Sequence, residues 1–283
     1  WHGGKPYEVK EDGTAVFKKA SAPKPPDYYQ VVSGAIVEAA KKNEKILGIT
    51  AAMEEGTGLA KFHKEIPERF YDVGICEQHA IAFAAALAKG GLKPVACIYS
   101  SFLQRAMDQL MHEISLQEGL PVVICMDRAG LVGDDGPTAN GVFDIAYMRA
   151  LPHFVLIAPK DAVEAQQMVH WAVAQNFPVA IRTPKEATPE QPLTLEFQPL
   201  ELGQGEIVRQ GEKVAILAYG AMVTQSLKAA DLVEKKTGLK ITVANARFAK
   251  PLDGELLEKL MQTHARVTTA EDHQLMNGFG SAV

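Results

Sequence analysis

Apolar residues recur along this chain in two alternating rhythms, one of helical period and one of short continuous runs. The spacing predicts a helix over residues 28–42, and Lys45-Ile46-Leu47-Gly48-Ile49-Thr50 then reads as a short buried strand. The alternation continues with strands at 70–73, 95–99, 121–126, 154–157 and 179–181, and with helices over 77–88, 102–116, 144–151 and 162–174. Such a pattern builds βαβ units around a parallel sheet, with helices covering both faces. A break crowded with Pro, Glu, Thr and Gln spans 183–199. Beyond it, strands at 213–219, 241–244 and 266–269 and helices at 222–236 and 254–262 outline a second α/β domain. Residues 1–27 carry scattered Lys, Pro and Gly without apolar periodicity, the composition of a linker or arm that cannot order itself. The expected organisation is a linker over 1–27, an α/β domain over 28–186, a linker over 187–199 and a smaller α/β domain, lacking its last elements, over 200–283.

The length of 283 residues agrees with about two domains at roughly 150 residues each. Hydrophobic and charged fractions of 47% and 22% exclude a disordered or fibrous chain. A net charge of −5 argues against nucleic acid or an anionic membrane as partner, while leaving room for a local phosphate pocket. Cys76, Cys97 and Cys125 lie in apolar runs without metal-ligand spacing and read as reduced, buried thiols of a cytoplasmic protein. No signal peptide or membrane-spanning run is visible. The start at Trp1 without Met, and the stop at Gly280-Ser281-Ala282-Val283, read as cuts from something longer.

Ligands of open α/β sheets collect beyond the carboxyl ends of strands, and four such loops are chemically rich. In the first, Glu77 opens a helix after Gly74-Ile75-Cys76, either as a functional carboxyl or as one favoured by the helix dipole. The second, Tyr99-Ser100-Ser101-Phe102-Leu103-Gln104-Arg105, sets two aromatics, two hydroxyls and an Arg at a strand-to-helix turn. Its plain alternative has Ser101 as N-cap, Phe102 in the core and Arg105 solvated. The third, 127–141, packs four glycines, three acids and Arg128 into one polar span, the strongest local signal of function. It is no P-loop, having no G-x-x-x-x-G-K-[ST] string. The fourth, Arg182-Thr183-Pro184-Lys185, is a phosphate site if it faces the same cleft and a solvated turn otherwise. His63, His79, His112, His153, His170, His264 and His273 make no ligand spacing and read as structural, so no metal site is expected on this chain. The absence of G-x-S-x-G argues against a serine hydrolase.

Asp72-Val73-Gly74-Ile75-Cys76-Glu77-Gln78-His79-Ala80 resembles the D-V-G-I-x-E-Q-H-A segment of the 1-deoxy-D-xylulose-5-phosphate synthases, thiamine-diphosphate enzymes related to transketolase. The resemblance extends to Ile49-Thr50-Ala51-Ala52-Met53 with Gly56-Thr57-Gly58-Leu59, to 99–109, to 127–133, to Lys250-Pro251-Leu252-Asp253 and to Gly278-Phe279-Gly280-Ser281-Ala282-Val283. It implies a parallel-sheet pyrimidine-binding domain followed by a smaller transketolase C-terminal-like domain. The diphosphate-binding domain, which carries Gly-Asp-Gly…Asn for the metal and diphosphate, has no equivalent here. It would sit upstream on the same chain or on a partner subunit.

The resemblance further implies thiamine diphosphate and Mg2+ as cofactors, the latter held by the domain absent from this sequence. Pyruvate and glyceraldehyde 3-phosphate become the implied substrates, condensed with loss of carbon dioxide in the isoprenoid, thiamine and pyridoxal precursor route. A homodimer is implied, in the cytoplasm or a plastid stroma. Glu77 matches the family's carboxyl group that hydrogen-bonds the pyrimidine N1', and a partly buried carboxyl suits giving and retrieving that proton. Phe102 matches an aromatic that packs on the pyrimidine, Arg105 a neighbour that organises the site, and Ile75 the apolar wall. Tyr99 and Arg128 match residues near the acceptor phosphate, and Asp135 an acid in the acceptor region. Lys185 stands for the second Arg of R-Y-P-R-G, keeping charge but losing the bidentate fork. Two departures stand out: Ala139 replaces an active-site His of D-G-P-T-H-x-G, and Glu186 adds negative charge where a phosphate should dock. They carry the alternative of an impaired synthase paralogue acting as a binding partner. Another alternative is a beta-type subunit of a 2-oxo-acid dehydrogenase or a split transketolase.

Overall fold

The computed structural model describes residues 7–17, 24–190 and 199–283. Within the stretch expected to be a linker, Tyr7–Val9 (β1) and Ala15–Phe17 (β2) pair as an antiparallel hairpin. The Asp12 carboxylate closes its turn by accepting the Thr14 N–H at 2.9 Å. Tyr7, Val9 and Val16 remain exposed, so local hydrogen bonds rather than burial shape this arm.

The helix α1 (Tyr28–Lys42) begins where Gln30 reaches back to the Asp27 N–H, and it buries Val32, Ile36, Val37 and Ala40 along one face. Strand β3 (Ile46–Thr50) is buried at every position, as a central strand must be when helices cover both sides. There follow α2 (Ala60–Glu65), which apolar spacing alone did not suggest, β4 (Phe70–Asp72), α3 (Glu77–Lys89) and β5 (Lys93–Tyr99).

The single helix expected over 102–116 is a correction. Its winding changes from α4 (Ser100–Leu103) through a 3-10 turn at Gln104–Ala106 and α5 (Met107–Gln109) to a π turn at Leu110–Ser115. A tight turn followed by a wide one keeps Leu103, Ala106, Leu110 and Ile114 inward while turning Phe102 and Arg105 out. The first domain closes with β6 (Val123–Asp127), α6 (Asp144–Ala150), β7 (Val155–Ile157), α7 (Ala162–Ala174) and β8 (Val179–Arg182). The second contains β9 (Glu206–Arg209), β10 (Val214–Ala218), α8 (Met222–Thr237), β11 (Thr242–Asn245), β12 (Phe248–Lys250), α9 (Gly254–Thr263) and β13 (Arg266–Ala270).

Two sheets organise these elements. The larger runs β12-β7-β8-β6-β5-β3-β4, parallel except for β12, and the smaller runs β13-β10-β11-β9, with β9 antiparallel. β12 therefore leaves its own domain to pair with β7 of the other, Phe248 opposite Ile157. One core cluster likewise continues from Ile98 and Ile124 through Phe154 to Leu217, Tyr219 and Phe279. The chain adds β4 on one side of β3 and then β5 on the other, so its order reverses around β3, where open α/β sheets form their ligand crevice.

A buried charge network holds the seam between the domains. Lys160 donates to Glu164 at 3.2 Å and Glu206 at 2.7 Å, while Arg247 meets Glu164 at 2.7 Å and Glu206 at 2.9 Å. Asn245 adds hydrogen bonds to both Glu164 oxygens at 3.0 and 3.1 Å. Burial opposes the Lys160 charge, but Glu164 and Glu206 overcome it and hold the ammonium above its ordinary range. Removing one member leaves an uncompensated buried charge, so Glu164→Ala is expected to cost about 3–5 kcal/mol in urea unfolding. Asp231→Ala, at the exposed ion pair with Arg209, is expected to cost about 1 kcal/mol or less. Equal losses would show that the seam is not held this way.

Candidate functional site

The carboxyl ends of β3, β4, β5 and β6 open on one cavity of about 880 Å3, lined by Ala52, Glu54, Asp72, Tyr99, Phe102, Arg128, Asp135 and Ala139 among others. Two non-glycine residues with left-handed backbone flank it, Ala52 at φ 59° and Arg128 at φ 55°. Side chains there cost conformational energy that surrounding contacts must offset. At Ala52 the contact is visible: its N–H donates to Asp72 Oδ1 at 2.7 Å, and the same oxygen accepts the Gly74 N–H at 2.9 Å. Asp72 thus ties the β3 loop to the turn that leads into α3.

Tyr99 sits at the centre. Arg128 lies over its ring at 4.1 Å from the centroid, and Phe102 packs 5.5 Å away at a tilt. A Cβ at Gly56 would overlap the Tyr99 hydroxyl, so the absence of a side chain there makes room for the phenol. Burial raises the phenol above its ordinary proton affinity, against the pull of the Arg128 charge. Arg128 is ion-paired with Asp135, and Lys185 reaches the other oxygen of that carboxylate at 2.7 Å. Arg128 and Lys185 thus converge on one carboxylate, and guanidinium and ammonium groups are the donors that bind phosphate esters.

Beside this cluster, Glu77 is 2% exposed at the start of α3. Arg105 stands 3.0 Å from its Oε2, yet that oxygen accepts no well-aligned hydrogen bond. A buried carboxylate oxygen lacking such a partner is costly unless a ligand supplies the donor. The neighbouring hydrophobes face out, with Ile75 76% and Phe102 40% exposed.

The residues singled out from sequence therefore fall into two adjoining groups. Tyr99, Phe102, Arg128 and Asp135 share the cavity, Lys185 joins through Asp135, and Glu77 pairs with Arg105 outside the cavity lining. Ile75 lies on the surface and is not among the lining residues. Two expectations are corrected. Arg182 is neither a phosphate ligand nor solvated: it is buried, 2.8 Å from Asp144, and donates to the Asp272 carbonyl at 2.6 Å. Glu186 is not among the lining of this cavity and instead lines a separate pocket with Tyr28, Thr224, Gln225 and Lys228. Burial, reinforced by Asp272 and opposed by Lys228, raises the proton affinity of that carboxyl.

Sequence reasoning missed Glu54 and Asp72 in the lining. Their position at the end of β4 and in the loop after β3 was the available signal. His63 stacks on Phe70 and lies 2.9 Å from Glu54. Among the described residues no cluster of three or more His, Cys, Asp or Glu could hold a metal ion, and no helix is long and apolar enough to cross a membrane.

Comparisons with known proteins agree with this two-domain α/β architecture. The family model "Transketolase, pyrimidine binding domain" matches residues 24–191, and "Transketolase, C-terminal domain" matches 203–283. The 1-deoxy-D-xylulose-5-phosphate synthase of Gloeobacter violaceus is 48% identical over 99% of this chain and 46% of its own length. That of Trichormus variabilis is 48% identical over 100% and 44%. The chain thus spans about half the length of these curated relatives. A solved structure described as a split gene transketolase, inactive beta4 tetramer, superposes with a TM-score of 0.81 at 32% identity, covering 91% of this chain and 83% of that one.

Asp127, at the end of β6, provides a test independent of any ligand. Its carboxyl is pushed from the usual value near 3.8 to about 7, chiefly by burial and against hydrogen bonds from the Arg128 N–H and Thr183. The folded state then binds more protons than the unfolded one between about pH 4 and 7. Stability from this group is present below pH 4 and declines by up to about 1.4 kcal/mol per pH unit across that window. Asp127→Asn is expected to flatten this part of the profile and to stabilise the protein more at pH 8 than at pH 5, measured by urea unfolding. An unchanged profile would rule out the assignment.

Proposed function

Because the chain belongs to the transketolase family, carrying its pyrimidine-binding and C-terminal domains, we propose that it forms that part of a thiamine-diphosphate-dependent 1-deoxy-D-xylulose-5-phosphate synthase. The observation that carries this reading is the buried Glu77 carboxylate, whose Oε2 lacks an aligned donor beside the exposed Ile75 and Phe102. The 48% identity to synthases of that name supports the choice of reaction.

The residues fit the pyrimidine half of the cofactor. Glu77 would hold the ring N1' and exchange a proton there, Phe102 and Ile75 would pack on the ring, and Arg105 would fix the carboxylate. Thiamine diphosphate, when bound, supplies the carbanion chemistry that releases carbon dioxide from pyruvate and joins the remainder to an aldehyde. Mg2+ and the diphosphate would be held by a diphosphate-binding domain, on the same polypeptide or a partner. Arg128 and Lys185 would receive the phosphate of glyceraldehyde 3-phosphate, taking it in place of or beside Asp135, and Tyr99 would line the approach. The exposed apolar wall would be covered in a homodimer. Ala139 leaves the cavity without the imidazole seen in the family pattern, so aldehyde addition would rely on Tyr99, Arg128 and Lys185.

A second reading, a beta-type subunit paired with a separate diphosphate-binding chain, draws support from the 32% identical split gene transketolase. It keeps the same role for Glu77.

In the full-length or reconstituted protein, Glu77→Gln is expected to slow deuterium exchange at the thiazolium C2 by roughly 10²- to 10⁴-fold. Exchange at the wild-type rate would falsify the role of Glu77. The wild-type protein is expected to form 1-deoxy-D-xylulose 5-phosphate from pyruvate and glyceraldehyde 3-phosphate. No product, combined with gain of activity in Ala139→His with Lys185→Arg, would instead identify an impaired paralogue.

A further inference from the structure

The loop that carries Arg128 and Asp135 is pinched at its neck. Gly130 and Gly141 exchange backbone hydrogen bonds at 2.8 and 2.9 Å, leaving Asp135 in the span between. Two residues ninety positions apart in the sequence grip this neck. Arg182 donates to the Gly141 carbonyl at 3.3 Å. Asp272, just after β13 in the C-terminal domain, accepts the Leu131 N–H on both carboxylate oxygens at 3.2 Å. Arg182 also donates to the Asp272 backbone carbonyl at 2.6 Å while Asp144 anchors its Nε at 2.8 Å, so the two grips are coupled.

The fit at Asp272 is close. A Cβ at Gly130 would overlap its carboxylate, and Gly130 sits at φ +83°, so the loop approaches the acid as only a glycine allows. The forked acceptance by both carboxylate oxygens ties points 141 residues apart in sequence. Neither contact is part of the Arg128–Asp135–Lys185 cluster, yet the Asp272 contact ends at Leu131, three residues from Arg128, and the Arg182 contact ends at Gly141, which is paired with Gly130.

We infer that Asp272 is a positioning residue: a carboxylate of the C-terminal domain that holds the neck of the 127–141 loop and thereby sets Arg128, with its Asp135 counter-charge, to receive the phosphate of the acceptor substrate. This rests on the proposed phosphorylated acceptor, and it deepens that reading by making acceptor recognition depend on both domains. Groups that act only through another should alter binding of the phosphorylated acceptor and leave the proton chemistry at Glu77 alone.

The test uses the full-length or reconstituted enzyme. In Asp272→Ala, hydrogen–deuterium exchange of amides 130–141 is expected to accelerate at least tenfold, with the rest of the sheet unchanged. The KM for glyceraldehyde 3-phosphate is expected to rise about tenfold, while kcat, the KM for pyruvate and the KM for unphosphorylated glyceraldehyde stay within twofold. Asp272→Asn, which keeps an acceptor oxygen, should return both readouts to within about twofold of wild type. If Asp272→Ala does not fold, Gly130→Ala, which displaces the carboxylate from the loop side, is expected to give the same split. Unchanged loop exchange overturns the inference, as does a KM that rises equally for both acceptors or a loss confined to kcat. If the wild-type enzyme does not use this acceptor, the proposed reaction fails while the exchange measurement still decides whether Asp272 holds the loop.

Discussion

Two carboxylates and two cations meet in a nearly dry seam, and the arrangement of both domains follows from their need to stay together. Lys160 and Glu164 are each 1% exposed, a placement that is tolerable only if Arg247 and Glu206 arrive from the other domain to complete the set. The seam therefore does more than glue. It demands one relative placement, because sliding either domain by an ångström or two strands charge in a low-dielectric interior. With that placement fixed, β12 can pair with β7, Tyr219 can stack on Phe279 in a core common to both domains, and the C-terminal segment can lie against the 127–141 loop.

The candidate site sits where this rigidity is needed. Its floor is made of strand ends, which hold Tyr99 to within the precision of the sheet, while its charged rim, Arg128 included, is made of loops, which need outside support. Asp72 supplies that support on one side through Ala52 and Gly74. Arg182 and Asp272 supply it on the other. The carboxylate at Glu77 is different in kind: it is held ready by α3, with one oxygen left short of an aligned partner in a way that a self-sufficient core would not tolerate.

Much of the fold could be read from residue spacing because most elements are long and periodic. The bounds of α1 and α7 match the expectation, each having an apolar face of clear helical period and a side-chain cap. Glu77, Phe102, Arg105, Tyr99, Arg128, Asp135 and Lys185 were found through loop position and family pattern, and the structure places Tyr99, Phe102, Arg128 and Asp135 in one cavity, Lys185 on Asp135, and Glu77 with Arg105 outside the lining. What escaped was non-local. β12 is three residues long and has no partner in its own domain, so no period could announce it. The 3-10 and π turns after Ser100 answer to packing against α3, which spacing along a single segment does not encode. Glu186 follows Lys185 in sequence, but the backbone bends at both residues, and only the folded chain shows that Glu186 lines a pocket with Thr224, Gln225 and Lys228 of the second domain. Asp272 lies 141 positions from the amide it holds.

The borrowed strand separates two notions of a module. A cut at the polar break near residue 199 respects the sequence rhythm and the two family matches, yet it would pull β12 away from β7 and leave Val155, Leu156 and Ile157 as an apolar sheet margin with unpaired backbone groups. Such a margin is a template for pairing with whatever strand comes next, including another copy. The unit that is inherited and shuffled is thus smaller than the unit that folds cleanly. Anyone transplanting the first domain into another protein must carry Phe248-Ala249-Lys250, or a substitute for it, along with the graft.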